Sequence, residues 1–181
     1  MRIAVLADIH GNVLALEAVL SDLATRKPDL VVDLGDCVSG PLWPRETMDR
    51  LSELNFPTVR GNHDRQVATL PPDEMGPSDR FAFDQLSKEH RARLGSLPFR
   101  LHVAPGILAF HAAPSSDAVY LTEEVDGARL VRSHPDAIAK RLGAVDAKLV
   151  LCGHSHQARV VQIPRPRSVP KTRSAVAVSA N

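Results

Sequence analysis

The sequence predicts an α/β protein, with a mostly parallel first sheet and a second, partly antiparallel sheet packed on it. Three observations carry this expectation. Apolar, β-branched runs alternate with helical stripes in a β-α-β-α-β order through Arg60, an order that favours right-handed parallel connections. Several runs stop at an Asp, Asn or His near a glycine, as buried strands do where they enter tight loops. Later in the chain, Ala104-Pro105-Gly106 separates two apolar runs and reads as a hairpin.

Residues 2–7 form the first expected strand. Asn12 then caps a helix to about Arg26, with Leu14, Leu16, Val19, Leu20 and Leu23 as its apolar stripe. Lys27-Pro28-Asp29 ends it, and Leu30 to Asp33 is the second strand. Residues 45–54 are helical, with Met48, Leu51 and Leu54 spaced by three, and Phe56 to Arg60 is a third strand. Leu70 to Ser78 reads as a loop, and Asp79 to Leu94 as a charged helix or helix pair with a solvated basic face. Phe99 to Val103 and Ile107 to His111 are the hairpin strands, and 114–132 is irregular. Pro135 to Leu142 is a helix, while Lys148 to Cys152 and Arg159 to Ile163 are strands. Residues 1–163 thus make one domain. The tail 164–181, spaced by prolines and without an acid, is expected to be a mobile end, with at most a weak edge strand at Ala175 to Val178.

With 181 residues, 44% hydrophobic and 24% charged, the chain can bury a real core and is not disordered. A net charge of +1 gives no reason to expect nucleic acid or a membrane surface as partner. No apolar run approaches the ~18 residues of a spanning helix. The short apolar run before Asp8 is no secretory signal, so the cytoplasm is the expected compartment. Cys37 and Cys152 are too few for a disulfide framework and read as small packing residues, with a thiolate ligand as the alternative.

The informative feature is where the metal-binding residue types fall. Asp8-Ile9-His10, Gly35-Asp36, Gly61-Asn62-His63-Asp64, His111 and Gly153-His154-Ser155-His156 all lie at ends of expected strands. If those strands are parallel, their loops open at one edge, where open α/β sheets bind ligands. Carboxylate oxygens and imidazole nitrogens suit borderline divalent ions, and a spacing of two lets alternate residues of an extended segment face one side. Two divalent ions facing Asp8 and Asp36 as their only anions would keep a positive surplus suited to a phosphate ester. Such a pair, roughly 3.5–4 Å apart, can also lower the pKa of a bridging water. His63, beside Asn62, can serve as general acid toward the leaving group. For Asp64 two roles stay open: orienting His63 or capping the helix that follows.

In these motifs the chain resembles the calcineurin-like metallophosphoesterases, in their small bacterial phosphodiesterase branch, over about residues 1–163. Asp-x-His, Gly-Asp, Gly-Asn-His-Asp, a lone His and Gly-His-x-His stand in that family's order. The resemblance implies a two-sheet α/β/β/α sandwich and a dinuclear site. One ion would take Asp8, His10, Asp36 and His156; the other would take Asp36 as a bridge, Asn62, His111 and His154. It implies a metal-dependent phosphoester hydrolase, a phosphodiesterase before a monoesterase, with a metal-bridging hydroxide as nucleophile. His63 and Asp64 are the candidate catalytic residues. The two divalent ions would be Mn, Fe, Zn or Ni, and the substrate a small phosphoester or a nucleotide. The chain departs from the family at two places. Ala112 and Ala113 follow His111 where the family has Gly, and nothing in 164–181 matches the Asn-Pro-Gly-Ser segment of relatives. An altered C-terminus with lowered activity is the expectation from the second. The contrasting reading is a scaffold of this fold that binds protein partners without hydrolysis, which the retained His63 opposes. His90, His102 and His134 read as structural, Trp43 as a loop anchor, and Tyr120 and the 71–78 loop as candidates for substrate contacts.

Overall fold

The structure, a computed structural model, describes residues 1–163 and the strand Ser174–Val178. β1 (Ile3–Leu6) and β2 (Leu30–Asp33) pair in parallel, with α1 (Val13–Arg26) crossing between them. Asn12 caps α1 by accepting the Ala15 N–H at 3.0 Å. After α2 (Pro44–Leu54), the expected third strand joins the sheet through one parallel bridge only, Asp33 to Thr58. Pro57 explains this in part: it has no N–H for a ladder, and its carbonyl accepts the Asp33 N–H at 2.9 Å.

Next come α3 (Asn62–Thr69), α4 (Pro77–Gln85) and α5 (Lys88–Ser96), so the charged stretch is a helix pair and the expected loop ends earlier, at Gly76. β3 (Arg100–Ala104) and β4 (Ile107–Phe110) form the expected hairpin. Residues 114–132, expected to be irregular, contain a second hairpin, β5 (Glu123–Asp126) with β6 (Arg129–Arg132). α6 (Pro135–Leu142), β7 (Leu149–Cys152), β8 (Arg159–Ile163) and β9 (Ser174–Val178) complete the elements. The second sheet runs β3-β4-β7-β9-β8, parallel across β4, β7 and β9 and antiparallel at both ends. β9 is therefore an interior strand, where the sequence suggested a weak edge strand. The rest of the tail falls outside the described residues.

Alternation along the strands sorts the apolar side chains into three layers. Leu6, Leu16, Met48, Leu51, Val67 and Leu94 lie between the first sheet and its helices. Ala7, Val32, Leu34, Ala109 and Leu151 fill the space between the sheets. Leu108, Phe110 and Val150 turn the other way, onto Ile138 of α6. On β4 the period of two is complete: Ile107 and Ala109 face one layer, Leu108 and Phe110 the other. Full burial of Phe110 or Leu151 contributes about 1.5–3 kcal/mol each. With helices outside and two sheets inside, this is the α/β/β/α sandwich. It brings the C-terminal ends of β1, β2, β4 and β7 to one edge. No helix among the described residues is long and apolar enough to cross a membrane.

Candidate metal centre

The backbone is unusual where the strands end. Seven described non-glycine residues have positive φ, and two of them, Lys27 and Asn55, are helix C-caps. The other five are Asp8 (55°), His10 (50°), Asp36 (55°), His154 (70°) and His156 (53°), every one a ligand candidate. Left-handed backbone at such residues costs of order 1 kcal/mol or more each, and it persists only where surrounding contacts fix it. Those contacts are present. Asp8 N–H donates to Gly35 O (2.9 Å), His10 N–H to Asp36 O (2.9 Å) and Gly153 N–H to His111 O (2.7 Å). Gly35, at φ 91°, and Gly61 let two loops touch: a Cβ on Gly61 would collide with the Asp36 carboxylate.

The side chains gather into two adjoining groups. Asp8, His10 and His156 form one, and Asp36, His111 and His154 the other, with the donor atoms of each group within 4.8 Å of one another. In the first, His10 Nε2 lies 3.2 Å from His156 Nε2, which is 3.7 Å from Asp8 Oδ1. In the second, His111 Nε2 lies 3.2 Å from Asp36 Oδ2, from His154 Nδ1 and from Asn62 Oδ1. Asp36 Oδ2 is also 4.0 Å from His10 Nε2, so it lies on the border between the groups. Its other oxygen is held by the His63 N–H at 2.9 Å. All seven residues expected as ligands are thus brought together. The alanines after His111 are buried without displacing it.

Three of the rings have their second nitrogen tethered to a backbone carbonyl. His10 Nδ1–H donates to Ser39 O (2.6 Å), His111 Nδ1–H to Leu34 O (2.7 Å) and His154 Nε2–H to Ala118 O (3.3 Å). Each tether sets the tautomer that aims the remaining lone pair at the other donors, as metal-binding histidines require. The Asn62 amide can present either atom there. Its oxygen faces His111 Nε2, whereas turned over it would donate N–H to His154 Nδ1 (3.1 Å) and Asp117 O (3.2 Å). Lone pairs of imidazole, carboxylate and amide pointing at one another repel unless a cation or protons lie between them. The residues therefore fit divalent cations.

Electrostatics divides the donors. Burial lifts the Asp8 carboxyl to about 6, against the opposing pull of His111. Burial would lift Asp36 too, yet its hydrogen bond to His111 and the surrounding histidines hold it below the usual carboxylate range. Burial opposes charge on His111, but Asp36 prevails and raises its pKa to about 9. Burial, with the His111 charge added, pushes His154 down to about 4. Neither cysteine belongs to a donor group; both are buried, and burial pushes both thiols up, which favours packing over thiolate ligation.

The acid that meets His63 is one the sequence reading missed. His63 Nδ1–H donates to Asp79 Oδ1 at 2.7 Å, Ser39 Oγ donates to the same oxygen, and Asp79 is buried on α4. The Asp79 hydrogen bond, offset by partial burial, raises the His63 pKa. Asp64 takes the other role left open for it. It accepts N–H groups of Asp36 (2.8 Å), Cys37 (2.9 Å) and Gly61 (2.9 Å) and completes the N-terminal cap of α3. Outside the site, His90 pairs with Asp49 at 3.0 Å, His134 caps α6, and Trp43 N–H donates to Gly11 O at 2.9 Å.

Comparison with known proteins agrees with this geometry. The sequence profile of the calcineurin-like phosphoesterases matches residues 1–158, and the chain belongs to that family. An uncharacterized protein of Methanocaldococcus jannaschii is 44% identical over 65 residues, a match that spans 36% of this chain and 27% of the relative. A metallophosphoesterase from Sphaerobacter thermophilus superposes with TM-score 0.75 at 27% identity, over 99% of this chain and 77% of that one. A protein of Pyrococcus horikoshii OT3 shares the fold with TM-score 0.76 at 20% identity, over 98% and 76%. Family and fold thus agree: the chain is a member of the calcineurin-like phosphoesterase family with the fold of its solved members.

Proposed function

We propose that this phosphoesterase is a dinuclear phosphodiesterase, acting in the cytoplasm on a small phosphoester or nucleotide, with Mn²⁺ the first cation to test. One observation carries the reading: the Asp36 carboxylate borders both donor groups, 3.2 Å from His111 Nε2 and 4.0 Å from His10 Nε2. Asp8, His10, Asp36 and His156 would hold one ion; Asp36, Asn62, His111 and His154 the other. Bound there, two divalent cations supply a nucleophilic water at neutral pH and positive charge for the phosphoryl oxygens.

The chain's own residues supply the rest. With Nδ1–H committed to Asp79, His63 has Nε2 left to carry a proton to the leaving oxygen. The carboxylate beside it favours the imidazolium, the form a general acid needs. Asp64 acts through the backbone, since its three accepted N–H groups set the loops that present Asp36 and Asn62. Arg65 gives its guanidinium to Asp117 at 2.6 and 3.1 Å, which ties α3 to the loop that follows β4. The scaffold reading is disfavoured by a general acid that keeps its full support.

The test is hydrolysis of bis(p-nitrophenyl) phosphate by Mn²⁺-loaded protein, with bound metal measured by mass spectrometry. Turnover should vanish with a chelator, and His63→Ala should lose about 10²–10⁴-fold while keeping its metal. Turnover of p-nitrophenyl phosphate alone would make the protein a monoesterase. No turnover of either ester by metal-loaded protein would favour the scaffold.

A further inference from the structure

Tyr120 is the only tyrosine of the chain, and it lies against a metal-ligand candidate. Its ring centroid is 4.5 Å from that of His154, with the planes tilted by 32°. The ring is half-buried, and its hydroxyl makes no hydrogen bond to another described residue. What it offers is therefore an aromatic surface. The loop that carries it, between β4 and β5, is pinned at three places. Ala113 and Ser116 exchange backbone hydrogen bonds at 2.9 and 3.2 Å. Asp117 is gripped by Arg65, and the Ala118 carbonyl accepts from His154. A wall fixed to the same ring that faces the metal centre needs no ordering when substrate arrives.

The position of Tyr120 relative to His63 defines which part of a substrate it meets. His63 stands beside His10, ring centroids 5.5 Å apart, at the Asp8/His10/His156 half. Tyr120 stands at the opposite half, on His154. A leaving group protonated by His63 departs on the first side, so the substituent directed to Tyr120 is the one phosphorus keeps. We propose that Tyr120 is a specificity residue: its partly exposed ring stacks on the retained organic group of a phosphodiester and selects a planar aromatic one, such as a nucleoside base. This rests on the phosphodiesterase reading. A monoester has only a phosphoryl oxygen in that place and gains nothing from the ring.

Two diesters with one leaving group isolate the effect. The Mn²⁺-loaded protein is assayed with thymidine 5′-(p-nitrophenyl phosphate) and with methyl p-nitrophenyl phosphate, and the ratio of their kcat/KM values is the readout. The nucleoside diester should be preferred, and Tyr120→Ala should shrink the ratio by about 5- to 100-fold, mainly through KM, as loss of one base–aromatic stack does. Tyr120→Phe and Tyr120→Trp should keep the ratio. Should Tyr120→Ala shed metal, Tyr120→Leu preserves apolar bulk beside His154 but offers no stacking face, and it should shrink the ratio equally. A ratio unchanged by these variants, with both esters slowed alike, would reduce Tyr120 to a prop for His154 and overturn the proposal. If neither diester is cleaved by unmutated, metal-loaded protein, the phosphodiesterase reading fails on its own. Calorimetric affinity for the nucleoside diester then decides: a loss of about 5- to 100-fold in Tyr120→Ala upholds the wall, and equal affinity removes it.

Discussion

The two donor groups of the centre differ most in their access to water. His111 is 0% exposed and Asp36 2%, with His154 partly exposed beside them, whereas the side chains of His10 and His156 are 23% and 46% exposed around a buried Asp8. Charges removed from water feel one another strongly, and charges facing it are screened. The inner group should therefore grip its ion tightly and tolerate change poorly. The outer group should exchange its ion readily and face the substrate. With similar donor sets in the two groups, burial rather than ligand count is expected to rank them.

The largest expected effect breaks the inner group. His111→Ala leaves the Asp36 carboxylate buried without its partner, which should cost roughly 3–5 kcal/mol of stability in the metal-free protein and abolish activity at any Mn²⁺ concentration. His156→Ala should melt nearly as the parent does and lose about 10–100-fold in activity, largely restored by excess Mn²⁺. Thermal melts and Mn²⁺ titrations of both variants check this, and equal behaviour would erase the distinction.

A smaller effect concerns the acid beside the outer group. Asp79→Asn keeps the shape around His63 but removes the charge that raises its pKa. As the proposed general acid, His63 would work protonated, so activity should fall as pH rises through its pKa. In the variant that fall should come at lower pH, with about 10–100-fold loss near neutrality and unchanged metal content. A pH–rate profile identical to the parent would take Asp79 out of the account.

The smallest effect is in proton release. With its pKa raised to about 9, His111 must shed a proton to take a metal at neutral pH, whereas His154, lowered to about 4, is already neutral. Calorimetry in buffers of different ionisation enthalpy should find close to one proton released at the inner group, falling off above about pH 9. In the metal-free protein the His111 contribution to stability is complete below its ordinary 6.5 and is lost as pH rises toward about 9.

Much of this candidate centre was legible because its donor residues sit where apolar runs end, and β1, β2, β4 and β7 read from those runs alone. Three things were not legible. Asp79 lies sixteen residues past His63, in a stretch whose charges look solvated; only the packing of α4 turns that one carboxylate inward. Glu123–Asp126 and Arg129–Arg132 carry too few apolar residues to signal a hairpin, since their strands are mostly exposed. The left-handed backbone at Asp8, His10, Asp36, His154 and His156 leaves no mark in composition, because Asp and His stand where glycine would be easiest. Asp64 was half legible: its place three residues after Gly61 allowed a cap, and the three N–H groups it accepts are seen only in the folded chain.

The most direct test of the central claim is anomalous scattering at the manganese edge from crystals soaked in Mn²⁺. Two peaks should appear about 3.5–4 Å apart, both within bonding distance of Asp36, with the inner peak at higher occupancy. A single peak, or two that do not share Asp36, would contradict it.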